Sequence, residues 1–283
     1  MKTLSSLIVV SVLAATSAPL FADSILYVDD SNGLLAQVDA DTGAVTDIGT
    51  TTYDHSAIVL TDIAMNSSGA LYGISFTNLY SVNTSNADLT RIGSFASTDS
   101  AMNGLVFNST GTLYAASGDT NKIFTLNTST GAATTLTGTT GAGVDASGDL
   151  AFNPDIGGNL YESDTSGDLV KITLPPPQVS GAVVGSFDLS PSSLNEDMYG
   201  MATGTDGVLY GTDKTSIYTI NTSTGKATYL STFSDPTHNF CKNEAYAFGA
   251  TAPFPSNPVP EPTTLGLMAI GGMMLLAKRR KKA

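Results

Sequence analysis

The sequence predicts an all-β chain folded as a five-bladed β-propeller, flanked by a signal peptide and a single C-terminal apolar helix. Three observations predict it. A unit built around a Leu-Tyr pair recurs five times between the two ends. The residues of that stretch favour strands joined by tight turns. The first unit also lacks a strand that the last residues of the domain supply.

The Leu-Tyr pairs begin at 26, 71, 113, 160 and 209, a spacing of 42 to 49 residues, which suits a four-stranded propeller blade. Each unit reads as an apolar strand, a turn with Gly before Leu-Tyr, a second apolar alternation, and a last strand often preceded by Thr-Gly. The third unit shows all four parts: GLVFN at 104–108, GTLY at 111–114, IFTLN at 123–127, and Thr130-Gly131 before 133–136. At the N-terminal end of the domain, ILY at 25–27, LAQVD at 35–39 and 45–49 have no first strand, and AYAFG at 245–249 is the missing piece. The terminal strands of one blade would thus close the ring. That closure protects sheet edges and argues against an open solenoid or a sandwich, because an open array needs capping repeats. The composition agrees: Gly, Ser, Thr, Asn and Asp abound, Trp is absent, and Lys and Arg are scarce. Such residues make turns, while the Val, Ile, Tyr, Phe and Thr between them make strands. The Asn-x-Ser/Thr strings at Asn66, Asn83, Asn108, Asn127 and Asn221 read as hairpin turns rather than glycosylation acceptors.

Residues 1–22 read as a signal peptide for signal peptidase. Lys2 gives the charge, 4–15 an apolar run, Pro19 a helix break, and Leu20-Phe21-Ala22 a small residue before Asp23. That order is complete, so a buried N-terminal helix is the weaker reading. The domain follows at 23–250 and a Pro-rich linker at 251–259. In the tail, 260–283, the uncharged stretch 263–277 precedes a basic cluster. An apolar helix ending on basic residues reads as a membrane stop with its basic end in the cytoplasm. About 15 residues span only about 22 Å, short of a bilayer core of about 30 Å, which suits a temporary anchor.

The string VPEPTTLGLMAIGGMMLLAKRRKKA at 259–283 resembles the PEP-CTERM sorting tail. Val259, Pro260, Glu261 and Pro262 match its motif, 263–277 its apolar helix, and Lys278, Arg279, Arg280, Lys281 and Lys282 its basic membrane stop. The resemblance covers the last 25 residues and implies recognition by an exosortase, a membrane-embedded cysteine transpeptidase-like enzyme that acts near Pro-Glu-Pro. It implies export in a Gram-negative bacterium, transient anchoring in the inner membrane, then delivery to the cell surface or to an extracellular, exopolysaccharide-rich biofilm matrix. An ordinary C-terminal anchor is the alternative. The repeat is also similar to loosely defined extracellular propeller repeats.

The whole chain carries a formal charge of −13. Without 1–22 and 260–283 it keeps 24 acidic against 6 basic residues, a charge of −18. Such a domain repels nucleic acid and anionic lipid and attracts cations. The lone Cys241 excludes an intramolecular disulfide and is expected to be buried. His238 and Cys241 give two ligands where structural zinc needs four, and His55 is not tied to them by spacing.

Innermost propeller strands line the axis. The alignment places Asp62, Asn103, Asp149, Tyr199 and Glu244 at the mouth of a central channel. Oxygen-bearing groups converging there make a candidate site for a cation such as Ca2+, or for a sugar. The plainer alternative is that strand ends at a solvent channel are simply polar. Asp29-Asp30, Glu196-Asp197, DASGD at 145–149 and DTSGD at 164–168 lack the complete calcium-loop pattern and read as turn residues. No nucleophile elbow, phosphate loop or dinucleotide fingerprint is visible. The expectation is a non-enzymatic binding or structural module with no cofactor, exported and sorted. The alternative is a polysaccharide-acting enzyme with Asp62 and Asp149 as acid and base.

Overall fold

The computed structural model describes residues 24–95, 101–136, 146–153, 158–174, 179–189, 198–237, 239–242 and 245–253. The expected signal peptide, the sorting motif 259–262, the stretch 263–277 and the basic cluster 278–282 lie outside these residues, as do His238 and Glu244. The described part contains no helix. Five antiparallel four-stranded sheets surround one axis.

Each sheet runs from an innermost strand outward. Blade 1 is Ala247–Thr251, Ile25–Asp30, Leu34–Asp39 and Val45–Thr50. Blade 2 is Asp62–Met65, Leu71–Ile74, Asn78–Val82 and Leu89–Ser94. Blade 3 is Met102–Phe107, Leu113–Ser117, Lys122–Leu126 and Ala133–Thr135. Blade 4 is Ala146–Asn153, Asn159–Asp164, Asp168–Thr173 and Ser180–Ser186. Blade 5 is Gly200–Thr203, Leu209–Asp213, Ser216–Ile220 and Ala227–Thr232. A two-stranded hairpin, Thr52–Tyr53 with Ser56–Ala57, lies between blades 1 and 2 in the chain. The chain closes its own ring, because Ala247–Thr251 pairs with Ile25–Asp30.

One detail corrects the sequence alignment. The closing strand pairs Val28 with Ala250 and Tyr27 with Thr251, so it is Ala247–Thr251 rather than 245–249. The blade 1 equivalent of Asp62 is therefore Gly249, not Ala245. The residue before it is Phe248, not Glu244.

Every blade buries both faces, so neighbouring residues on one strand enter different cores. Leu35 packs with Ile63, Leu71 and Tyr80 of blade 2. The next residue, Ala36, packs with Ala202, Tyr210 and Ile217 of blade 5. Leu79 joins Leu105, Phe107 and Phe124 of blade 3, while Tyr80 turns back to blade 1. The same arrangement repeats between blades 3 and 4 and between blades 4 and 5. Five interblade cores replace a single central one, which explains why no unit stands alone. The Leu-Tyr tyrosines add edge-on ring contacts across these seams, Tyr72 to Phe107 and Tyr114 to Phe152.

The Thr-Gly turns also hold the seams. Gly225 of blade 5 adopts φ +78°, and a Cβ there would lie 2.2 Å from the Gly185 carbonyl oxygen of blade 4. Gly131 of blade 3 meets Gly93 of blade 2 in the same way, at 2.8 Å. The glycine is thus required both by the left-handed backbone and by the close approach of the adjacent blade. Gly225→Ala is expected to cost about 2–3 kcal/mol, read by urea unfolding. A loss under about 0.5 kcal/mol would show that this seam yields freely. The Asn-x-Ser/Thr strings form side-chain-capped turns: Asn108 Oδ1 accepts from Thr110 N and Thr112 N at 3.1 and 2.8 Å, and Asn127 Oδ1 from Ser129 N at 2.9 Å.

Candidate functional site

An innermost strand has a sheet partner on one side only. Its N–H groups on the axial side must find another acceptor or stay orphaned at a cost of about 1–3 kcal/mol each. At one register level, two residues before the partner of each blade's Leu-Tyr tyrosine, the five strands carry Asp62, Gly104, Asp149, Gly200 and Gly249. The next residues, Ile63, Leu105, Leu150, Met201 and Ala250, each donate their N–H to one of the two carboxyls. Asp62 Oδ1 accepts from Ile63 N at 2.6 Å, and its Oδ2 accepts from Leu105 N. Asp149 Oδ1 accepts from Leu150 N at 2.6 Å, and its Oδ2 from Met201 N at 2.8 Å and Ala250 N at 3.1 Å. Two carboxyls therefore tie together all five blades.

Of the glycines at the other three positions, Gly249 makes room for the carboxyls. A Cβ at Gly249 would lie 2.4 Å from Asp62 Oδ1 and 2.7 Å from Asp29 Oδ1. Asp29, on the second strand of blade 1, accepts from Gly249 N at 3.1 Å. Asp29, Asp62 and Asp149 are fully buried. Desolvation pushes all three upward. Asp62 is raised well above the usual carboxylate range by burial, and further by the charge of Asp149 and the hydrogen bond with it. Asp29 is raised well above that range by burial, with the charges of Asp30 and Asp149 adding to the rise. Burial raises Asp149 to about 7, while the hydrogen bond from Asp62 and the Met201, Ala250 and Leu150 N–H groups hold it down. Burial of the pair thus disfavours ionisation of both carboxyls relative to an exposed aspartate.

Of the expected mouth residues, the fold brings Asp62 and Asp149 together, but inside the protein rather than at a mouth. Asn103 and Tyr199 stand one residue nearer the N-terminal ends of the inner strands, half-buried. Asn103 Nδ2 donates to the Ala146 carbonyl at 2.7 Å and so links blades 3 and 4. Tyr199 packs edge-on against Tyr246 and Phe248, at 5.7 and 6.2 Å between ring centroids. The fifth residue, Glu244, lies outside the described residues, and Phe248 takes its expected place. A cation cage at this level is not what the carboxyls of Asp62 and Asp149 form, since their oxygens accept backbone N–H groups. Among the described residues, no group of three or more His, Cys, Asp and Glu is placed to hold a metal ion.

Cys241 is buried, and burial pushes its thiol upward, with the charges of Asp30, Asp29 and Asp235 adding to the rise. Asp30, read from sequence as a turn residue, instead anchors this loop. Its Oδ2 accepts from Cys241 N at 2.8 Å, and its Oδ1 from Asn32 N and Leu34 N at 2.9 and 2.8 Å. Asp235 accepts from Asn239 N and Phe240 N at 2.6 and 2.9 Å. Burial opposes its ionisation, but the Phe240, Thr237 and Asn239 donors together outweigh it and lower its pKa to about 2.

The open space lies at the opposite end, where the inner strands finish. A cavity of about 1100 Å³ sits there. Leu105, Leu150, Met201 and Ala250, whose N–H groups hold the buried carboxyls, line its floor with Met65 and Phe152. Ser67, Asn108, Ser109, Asn153, Thr203 and Thr251 bring hydroxyls and amides to it. Among the described residues, none of the side chains that line it is ionisable. Sequence reading missed this site because it placed function at the acidic end of the strands. The signal available was the polar residue closing inner strands, as in Asn153, Thr203 and Thr251.

Residues 258–281 match the PEP-CTERM protein-sorting motif. The chain thus combines a five-bladed propeller with a tail whose motif implies recognition by an exosortase, export and membrane-associated sorting. No curated protein matches the sequence. Among solved structures, a symmetrical protein of de novo evolutionary emergence is similar at 17% identity and a TM-score of 0.51, over 82% of this chain and 100% of that one. A protein provisionally assigned as a gluconolactonase is similar at 14% identity, TM-score 0.49, over 74% and 79% of the two chains. A catalytically inactive virginiamycin B lyase from Staphylococcus aureus, with quinupristin, is similar at 13% identity, TM-score 0.45, over 75% and 72%. At such identities the first likeness speaks to fold alone.

Proposed function

We propose that the propeller is the non-catalytic binding module of a cell-surface or matrix protein delivered by an exosortase, and that its cavity takes a neutral saccharide segment of exopolysaccharide. The observation that carries this reading is the lining: in a domain of formal charge −18, a cavity of about 1100 Å³ has hydroxyls and amides over an apolar floor and, among the described residues, no ionisable side chain. Such walls match a ligand with hydroxyls and apolar ring faces, and they offer nothing to pair with a charged one. The size suits a few sugar rings.

The enzyme alternative draws on Asp62 and Asp149. Acid–base hydrolysis of a glycoside needs two carboxyls about 5–10 Å apart with the substrate between them. These two instead lie against one another beneath the floor, engaged by backbone donors.

Calorimetric titration of the exported protein with neutral and anionic matrix polysaccharides tests the reading. Neutral chains are expected to bind and anionic ones not. The paired substitution Ser67→Trp with Ser109→Trp, at two exposed rim positions, is expected to weaken binding about tenfold or more, about 1.4 kcal/mol, without altering the thermal midpoint. Release of reducing ends by the unaltered protein would overturn the non-catalytic reading.

A further inference from the structure

Each blade ends on an outermost strand with no strand beyond it, and such an edge invites another chain. Proteins blunt edges by charging them, shortening them or covering them. The register makes the five edges comparable, because Asp47, Arg91, Thr135, Val183 and Tyr229 each face the same level of their blade's third strand. Blade 1 carries the charge of Asp47, and residues of a later loop lie alongside: Val45 N donates to Ser234 O at 3.1 Å, and the Thr237 hydroxyl to Asp47 at 2.6 Å. Blade 2 carries Arg91, and Thr52 bridges to Asp88 at the start of its edge. The outer strand of blade 3 has only three residues. In blade 5, Ala227 N donates to Phe187 O at 3.0 Å, and the ring of Tyr229 stands edge-on to Tyr218. Blade 4 is not defended in these ways. Its outer strand Ser180–Ser186 (SGAVVGS) is the longest of the five at seven residues, with no charge and no proline. Among the described residues, no backbone hydrogen bond reaches it from outside its own sheet. Val183 at its middle is 52% exposed.

We propose that two copies of this chain meet at Ser180–Ser186, edge to edge and antiparallel, about a two-fold axis through Ala182. Charge selects a second copy as the occupant. A domain of formal charge −18 repels its own copies and meets one only where its surface carries no charge. A two-fold interface sets the same patch on both sides, so the uncharged strand meets an uncharged strand. Residues facing one another across an antiparallel pair are of one kind, hydrogen-bonded or not, so the axis passes through a residue. The strand's pairing is regular from Ser180 to Val183, and a bulge follows. An axis at Ala182 uses that regular stretch. It sets Ala182 opposite itself, and each Gly181 opposite Val183 of the other copy, where a β-branched side chain covers bare backbone. One strand pair is smaller than a standard interface of about 1,600 Å². The association is therefore weak, and it strengthens as salt screens the charge of each copy, the reverse of an interface held by ion pairs. A dimer carries two cavities, and a polymer that enters both is held by avidity. That consequence rests on the binding role given above, whereas the pairing stands without it.

The test needs no ligand. The exported protein is prepared with one new cysteine, either Ala182→Cys or Thr135→Cys, the latter exposed on the outer strand of blade 3. Cys241 is buried and does not compete. Self-opposed residues in an antiparallel pair hold their Cβ atoms about 4.5–5.5 Å apart, close enough for a disulfide after a small adjustment. Under mild oxidation, Ala182→Cys is expected to form disulfide-linked dimers at least tenfold faster than Thr135→Cys, and faster in 0.5 M salt than in low salt. Sedimentation velocity of the unaltered protein is expected to show a dimer fraction that grows with salt. Val183→Lys is expected to remove that dimer without moving the thermal midpoint, and Tyr229→Lys to leave it in place. Equal crosslinking at the two cysteines, a dimer that survives Val183→Lys, or a monomer at high salt and high protein concentration would overturn the proposal. Failure of polysaccharide to bind would instead overturn the ligand assignment and leave the crosslinking unchanged.

Discussion

Asp149→Ala is expected to take away about 3–6 kcal/mol, a large part of the 5–15 kcal/mol typical of a folded domain. The substitution orphans the N–H groups of Leu150, Met201 and Ala250, which belong to three different blades. Each buried donor left without an acceptor costs about 1–3 kcal/mol, and the space left on the axis adds a cavity term. Asp62→Ala orphans only Ile63 N and Leu105 N and should cost less. Asp149→Asn keeps one acceptor oxygen and should fall below both, at about 1–3 kcal/mol. Urea unfolding followed by far-ultraviolet circular dichroism gives the ranking. If Asp149→Ala unfolds within about 1 kcal/mol of the unaltered protein, the two carboxyls do not hold the ring.

The sequence made the architecture legible, and physics explains why. The Leu-Tyr spacing marks the second strand of each blade, and the two-sided burial of that strand leaves little freedom of interpretation. The register of the closing strand was set four residues early, with Ala245 in the place of Gly249. In a strand side chains alternate with period two, so a shift of four leaves every side chain on the same face. The pattern in AYAFGAT at 245–251 could not reveal such a slip, and Glu244 was drawn into the site by it. The carboxyls show a different limit. Asp62 and Asp149 stood out as the acidic members of an otherwise Gly-rich level, yet aspartate is so commonly solvated that a channel mouth was the natural expectation. What buries them is a demand of the ring: five inward-facing N–H groups that no single strand's sequence displays. Asp29 gave less signal still, because it follows Val28 and precedes Asp30 with nothing to mark it as axial. The Thr-Gly turns were read as turn chemistry, and only the assembled ring shows that Gly225 and Gly131 also press on the adjacent blade.

Stability is expected to fall as pH rises from about 5 to 8, the reverse of proteins held together by ionised carboxylates. Asp29 and Asp62 are raised well above the usual range and Asp149 to about 7, in each case first by burial. An unfolded aspartate titrates near 3.9. Between about pH 4 and the folded values, the native state therefore holds protons that the unfolded chain has lost. Each such proton makes stability decline by about 1.4 kcal/mol per pH unit. The contribution is complete below about pH 4 and is lost as pH passes through 7 and beyond. Two pH units with one excess proton amount to about 2.7 kcal/mol, or about 5–10 °C in the midpoint for a domain of this size. The charges that meet here are Asp29, Asp30, Asp62 and Asp149. Self-repulsion of the acidic surface acts in the same direction, and salt separates the two. At high salt the Debye length shrinks to a few ångströms and surface repulsion is screened, whereas the axial carboxyls are fully buried and out of reach of counterions. Thermal melts at pH 5, 6, 7 and 8 in low and in 0.5 M salt (roughly a 4 Å Debye length) should therefore both slope downward. A slope that vanishes in high salt would assign the effect to the surface. A rise in stability toward pH 8 would show that the axial carboxyls are ionised in the native ring, with the N–H groups of all five blades stabilising two full charges.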